Sequence, residues 1–263
     1  MSRKPIIAGN WKMHKTVSEA VDLAEEVAAG SCDIENVDVV VCPTYTALYA
    51  VSQKLKGTTV GLAAQDVHWK EQGAYTSRIS PMMLVDVGCK YTIIGHSETR
   101  GRFGKPEAEL AVNYYGETDE TVNLKAKAAI AAGLTPIICC GETLDERKAG
   151  NTDSVIAGQI RKDLEGLTVG QIAALVIAYE PVWAIGTGEV CDTPEANRVC
   201  GMIRGVVAEI AGQDAANAVR IQYGGSVKPD NAAELLSQSD IDGALVGGAA
   251  LKSSDFLAIV RSA

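Results

Sequence analysis

Three side chains in this sequence are of the types that acid–base chemistry needs: Lys12, His96 and Glu180. Moving a proton beside a carbonyl takes a base near the carbon and an electrophile at the carbonyl oxygen. A glutamate and a histidine suit those roles. A lysine can neutralise substrate charge as a compact point charge. Each follows a short apolar run: Lys12 in Asn10-Trp11-Lys12, His96 in Gly95-His96-Ser97-Glu98, and Glu180 in Glu180-Pro181-Val182-Trp183. Three glycine-bearing turns accompany them: Gly186-Thr187-Gly188, Gly224-Gly225-Ser226 and Gly247-Gly248. Such turns can aim bare backbone N–H groups at an anion such as phosphate. Bland alternatives stand beside these readings. The glycines would then only close tight turns, Lys12 would be a solvated surface lysine, and His96 would be structural, as His14 and His68 are expected to be. Glu180 is either a base or structurally paired, because burying it alone would be costly. Ser97-Glu98 could begin a helical turn, whose N-terminus would favour a neutral His96 imidazole. The sequence shows no zinc-ligand spacing and no Gly-x-Ser-x-Gly elbow. The adjacent Cys139 and Cys140 are expected in a strand, since neighbouring cysteines bridge only with strain.

The elements that must position these residues alternate regularly. Eight β-branched, apolar runs are expected as strands: Pro5–Ala8, Val37–Val41, Thr59–Ala63, Tyr91–Ile94, Leu134–Cys139, Ala174–Tyr179, Val219–Tyr223 and Asp242–Val246. They lack strict alternation, as strands buried on both faces do. Helical composition fills stretches between them, such as Val17–Ala29, Thr121–Ala132, Ser154–Leu164 and Glu195–Ala211. Thr193-Pro194-Glu195 reads as an N-cap, a proline at the first helical position and a first-turn acid. Gly133 sits where a C-terminal glycine belongs. Eight right-handed βα units in this length predict an α/β fold, a single-domain (β/α)8 barrel over residues 1–263. No Gly-x-Gly-x-x-Gly follows an early strand, against a doubly wound sheet. In such a barrel the strand C-termini carry the chemistry, and a phosphate site commonly follows strands seven and eight. Lys12, His96 and Glu180 then converge on one rim.

Composition narrows the partners. The 263 residues are 47% hydrophobic and 22% charged, an ordinary globular balance, with a net charge of −9. Nucleic-acid and acidic-membrane binding are therefore not expected, since both need a basic footprint. The longest apolar run, Ala173–Tyr179, is too short to span a bilayer. No signal-peptide core precedes Asn10. Seven irregularly spaced cysteines read as free thiols. A cytoplasmic protein is expected.

The sequence closely resembles the triosephosphate isomerase family along essentially its whole length. The matching segments are Gly9-Asn-Trp-Lys-Met13, Ala64-Gln65, Gly73-Ala-Tyr-Thr76, Ile94-Gly-His-Ser-Glu98, Tyr179 to Gly188, Tyr223-Gly-Gly-Ser-Val227 and Leu245-Val-Gly-Gly248. The resemblance implies a TIM barrel. It implies interconversion of dihydroxyacetone phosphate and D-glyceraldehyde 3-phosphate with no cofactor and no metal. Glu180 would be the base, His96 the neutral electrophile, and Lys12 and Asn10 substrate contacts. Gly186, Ser226, Gly247 and Gly248 would hold the phosphate, and Pro181–Cys191 would form a lid. A homodimer is also implied, with Thr76 reaching Asn10 and Glu98 of the other copy. The chain departs from the family pattern in places. Ser77-Arg78 stands where Gly-Glu is common, Thr99 where Arg is common, Asp66 where Asn is usual, and Glu189-Val190-Cys191 where Lys and Ala flank the far hinge. About a dozen residues, roughly 101–114, are inserted after the fourth strand. A short helix is expected within Lys105–Val112, with a structural role.

Two rivals remain on sequence grounds. One is another phosphate-binding barrel enzyme, such as a Schiff-base aldolase, which would need a buried lysine on an inner strand. The other is a non-catalytic barrel, which fold alone does not exclude.

Overall fold

The computed structural model describes residues 3–103 and 116–263. The expected helix at Lys105–Val112 lies outside the described residues. Eight strands pair in parallel into a closed barrel in chain order. They are β1 (Ile6–Asn10), β2 (Asp38–Cys42), β3 (Gly61–Ala64), β4 (Tyr91–Ile94), β5 (Thr135–Cys140), β6 (Val176–Tyr179), β7 (Arg220–Tyr223) and β8 (Gly243–Val246). Each agrees with the sequence parse to within one or two residues at its ends. β1 runs two residues further, so Asn10 is a strand residue. Cys139 and Cys140 are the buried, unbridged last residues of β5.

Alternation along each strand sorts side chains into two cores. Ile6, Ala8, Val40, Ala63, Ile93, Ile137, Val176, Ala178 and Leu245 fill the barrel interior. Ile7, Val41, Ile94, Ile138, Ile177, Tyr179 and Val246 pack outward under the helices. Both sides are apolar, which is why the strands read as unbroken hydrophobic runs. The helices keep only a stripe buried. Val17–Gly30, for example, hides Ala20, Leu23, Ala24, Val27 and Ala28.

Helix ends follow local chemistry, with one correction. The helix Thr193–Ala211 is capped by Asp192, not by Thr193. The Asp192 carboxylate accepts the Glu195 N–H at 2.8 Å, a cap of about 1 kcal/mol. Thr193 and Pro194 occupy the first turn, where a missing proline N–H costs nothing. Gly133 does end its helix, at φ +86°.

The loop that carries Thr76 is exposed, and its next residue, Ser77, has φ +73°. That left-handed conformation costs a residue with a Cβ about 1–2 kcal/mol, and glycine adopts it freely. After allowing for the larger unfolded-state entropy of glycine, Ser77→Gly is expected to stabilise the fold by about 0.5–1 kcal/mol. Urea unfolding of the two proteins checks this, and a destabilised Ser77→Gly would contradict it.

Candidate active site

The strand parity that fills the barrel also aims the site. Continuing Ile6 and Ala8 inward by two places Asn10 at the mouth, and continuing Val176 and Ala178 places Glu180 there. Leu245 leads likewise to Gly247, and a Cβ on Gly247 would lie 3.6 Å from the Lys12 Cε. His96 breaks the rule. Tyr91 and Ile93 belong to the inner side, so parity alone would turn residue 96 outward. Gly95 has φ +71°, and a Cβ there would meet Arg100 and Val122 on the outer layer. The alternation slips at this glycine, and His96 faces in.

A cleft of about 1010 Å³ opens at the strand C-termini. Asn10, Lys12, His96, Glu98, Glu180, Gly186, Ser226, Gly247 and Gly248 all line it. Every expected catalytic and substrate-binding residue is thus brought together. Thr76 does not reach the cleft of its own chain.

Glu180 is almost fully buried, and both its oxygens are engaged. Oε1 lies 2.9 Å from His96 Nε2 and accepts the Ser97 hydroxyl at 3.3 Å. Oε2 accepts the Ser97 N–H at 2.9 Å. Burial by itself would raise this carboxyl. The charge and hydrogen bond of His96, the Ser97 N–H and the Lys12 ammonium outweigh it and hold the pKa below the usual carboxylate range. Glu180 is therefore ionised at neutral pH.

Two influences oppose each other at His96. Burial favours the neutral ring, while the Glu180 carboxylate favours the charged one and prevails in this arrangement, lifting the pKa above the ordinary value. The Glu98 N–H donates to Nδ1 at 3.1 Å. With Nδ1 occupied as an acceptor, the neutral ring carries its proton on Nε2, the atom that faces the cleft. Residues 97–101 form hydrogen-bonded turns and not a helix. A local N–H, rather than the expected helix N-terminus, sets the tautomer.

This coupling has a testable sign. His96→Gln removes the main group that holds the Glu180 pKa down, so burial then dominates and the carboxyl titrates higher. The acid limb of kcat/KM is expected to move to higher pH in His96→Gln, and kcat to fall by about 10²- to 10⁴-fold. A pH–rate profile checks both, and an unmoved acid limb would refute the coupling.

Lys12 occupies a strained backbone position, φ +51°. Its own N–H is held by Asn10 Oδ1 at 3.1 Å, and its carbonyl by Gln65 Nε2 at 2.9 Å. Its ammonium pairs with Glu98 at 2.5 Å. Strain of this kind persists only where surrounding bonds over-determine it. Asn10 therefore positions Lys12 as well as lining the cleft. Glu98, expected at an interface, also lines the cleft of its own chain.

The side of the cleft expected to take phosphate is built from exposed backbone. The N–H groups of Gly186, Ser226, Gly247 and Gly248 have no acceptor among the described residues. Two glycines nearby are dictated by crowding: a Cβ on Gly224 would lie 3.0 Å from the Glu180 Cγ, and one on Gly225 would lie 2.2 Å from the Tyr223 hydroxyl. The segment 181–191 runs from buried anchors to an exposed tip at Gly186–Val190. At its near end the Trp183 Nε1 donates to Glu142 at 2.8 Å, and Arg147 stacks 4.4 Å above the indole. At its far end Cys191 is buried.

Sequence reasoning gave no role to Ser97, Gln65, Glu142 or Arg102. Ser97 and Gln65 lay inside matching motifs without a task. Glu142 follows an apolar strand after a single glycine, a signal close to the one that singled out Glu180. Arg102 carried no signal, since it falls in the inserted stretch.

Comparison with known proteins identifies relatives of this chain. A family model described as Triosephosphate isomerase matches residues 5–263. The chain is 52% identical over 259 residues to the triosephosphate isomerase of Citrifermentans bemidjiense, covering 98% of both chains. It is 53% identical over 259 residues to that of Clostridium perfringens, covering 98% of this chain and 99% of the relative. The crystal structure of triosephosphate isomerase from Bartonella henselae superposes with a TM-score of 0.85 at 37% identity, with 98% of each chain covered. The chain belongs to the triosephosphate isomerase family.

Proposed function

We propose that Glu180 and His96 are the acid–base pair with which this chain, an isomerase of the triosephosphate isomerase family, interconverts dihydroxyacetone phosphate and D-glyceraldehyde 3-phosphate. The observation that carries the assignment is their meeting, 2.9 Å apart, in a cleft rimmed by unpaired backbone N–H groups. Substrate phosphate would take the N–H groups of Gly186, Ser226, Gly247 and Gly248. The triose would then lie over Glu180, which exchanges its Ser97 contacts for the substrate carbon. The carboxylate removes a proton from one carbon and the electron pair moves toward the carbonyl oxygen. There His96 Nε2–H and the Lys12 ammonium stabilise the enediolate charge. Returning the proton to the neighbouring carbon completes the isomerisation, with no net gain or loss of electrons. Once Glu180 turns to the substrate, the charge that kept the His96 pKa high is gone, and the Glu98 N–H favours the neutral ring. Closure of 181–191 would exclude water, which matters because an exposed enediolate can expel phosphate.

A Schiff-base aldolase is not favoured. Among the described residues the inner barrel carries no lysine, and Lys12 is committed to Glu98. A coupled isomerase assay tests the proposal. Conversion of either triose phosphate to the other is expected, with no adduct trapped by borohydride. Absence of turnover, or a trapped adduct, would overturn it.

We also propose a homodimer in the cytoplasm. Met13, Tyr75, Met82 and Met83 are exposed apolar side chains, 93%, 42%, 53% and 52% accessible. They follow β1 and β3, around the Thr76 loop, and a second copy would cover them. Thr76 would then approach Asn10 and Glu98 of that copy. The family's usual charged pair is not rebuilt here: the Thr99 hydroxyl is bonded to Glu117 at 2.5 Å. Sedimentation is expected to give twice the 27.6 kDa chain mass. The seven unbridged thiols accord with a reducing compartment. No helix of the described residues is long and apolar enough to cross a membrane.

A further inference from the structure

We propose that Arg102 is a positioning residue for the reaction, tying the turn that carries His96 to the loop that backs Glu180. The inference rests on the assignment of His96 and Glu180 made above.

Arg102 lines the cleft at the start of the stretch that has no counterpart in the family pattern. Its backbone N–H donates to the Ser97 carbonyl at 2.8 Å, closing the turn beside His96. Its guanidinium reaches across to β5. There Nη2 donates to the Gly141 carbonyl at 3.1 Å and pairs with the Glu146 carboxylate. Gly141 is the surface on which the Glu180 main chain rests. A Cβ on Gly141 would lie only 1.7 Å from the Glu180 carbonyl oxygen, so the two backbones are in direct contact. The Gly141 N–H is itself fixed by Gln159 at 2.8 Å. One residue is thus bonded at the end of β4 and at the end of β5, with a reacting side chain beside each anchor.

The same side chain steadies the lid root. Glu146 belongs to the helix Leu144–Lys148. Its neighbour Arg147 is the residue stacked on Trp183. A planar guanidinium can serve a carbonyl and a carboxylate together, which a single ammonium does less well. The Arg102 side chain is 24% exposed, so water competes only in part. Without the tie, His96 and Glu180 are free to drift relative to each other, and a misplacement of about 1 Å costs about 10²-fold in rate.

The test uses the full chain with Arg102→Met, Arg102→Lys, Glu146→Gln and the Arg102→Met/Glu146→Gln double variant. Arg102→Met is expected to lower kcat about 10- to 100-fold with KM within about threefold, because geometry rather than substrate binding is lost. Arg102→Lys should recover part of the loss. Millimolar guanidinium should restore kcat of Arg102→Met where equal sodium chloride does not. Glu146→Gln should add nothing to Arg102→Met, since the tie is already cut. A folded Arg102→Met enzyme with kcat within twofold of wild type would overturn the proposal, as would a loss confined to KM. If Arg102→Met does not fold, Arg102→Lys decides: a kcat lowered about fivefold or more supports the tie, and wild-type kcat overturns it. Failure of the underlying assignment looks different. It would appear as a Glu180→Asp enzyme of undiminished turnover, whatever Arg102 does.

Discussion

Glu180→Asp is expected to turn over about 10²-fold more slowly than the wild type, with KM little changed. The substitution keeps the carboxylate and its charge but withdraws it by one methylene, roughly 1 Å, and misplacement of that size has that cost. The surroundings do not let the shorter side chain compensate. The Glu180 main chain is clamped against Gly141 on one side. On that same side its N–H is held by the Cys140 carbonyl at 2.8 Å. A Cβ on Gly224 would already crowd its Cγ. The loss should fall on kcat, because the base engages the carbon only in the transition state. Steady-state kinetics with each triose phosphate checks this. A Glu180→Asp enzyme with near-wild-type kcat would remove Glu180 from the base position.

Lys12→Met should lower kcat/KM by about 10²- to 10³-fold, as removing one group that stabilises charge developing in the transition state does. The methionine keeps the stem and removes the ammonium that lies 2.5 Å from Glu98. Two penalties follow from one change. The substrate and the enediolate lose a cation of the cleft, and Glu98 becomes an uncompensated negative charge on its rim. The second penalty can be separated from the first. Adding Glu98→Gln to Lys12→Met should recover part of the loss by relieving repulsion, whereas Glu98→Gln alone should weaken the enzyme modestly. Lys12→Arg should retain function at higher KM, since charge survives and shape does not. Calorimetric titration with a phosphoglycolate-type analogue provides the readout. Low-micromolar binding to Lys12→Met would contradict the role given to the ammonium.

The sequence by itself determined the architecture. Eight apolar runs separated by helical stretches admit few other arrangements, because parallel strands need long right-handed crossovers and both faces buried. Strand ends were legible to a residue or two, since each run stops where polar or glycine residues begin. The same logic brought the candidate residues to one rim. Asn10, Lys12, His96, Glu180 and the glycine turns all fall at a strand end or in the loop after it, and all contribute to one cleft. What the sequence left undecided depends on backbone conformation or on partners distant in the chain. His96 faces inward because Gly95 takes a left-handed conformation that breaks the strand alternation, and periodicity assumes an unbroken strand. The imidazole tautomer is set by one N–H at Glu98, and the Glu180 pKa by burial set against a histidine 84 residues away (180 − 96). Lys12 is held in a strained conformation by Asn10 and Gln65, and its charge is met by Glu98, 86 residues further on. Arg102 had no pattern to mark it, because its partners Gly141 and Glu146 become neighbours only when the barrel closes. Residue type and spacing carry what each element buries; which charges and donors finally touch is decided by the closed barrel, where distant strand ends share one low-dielectric rim.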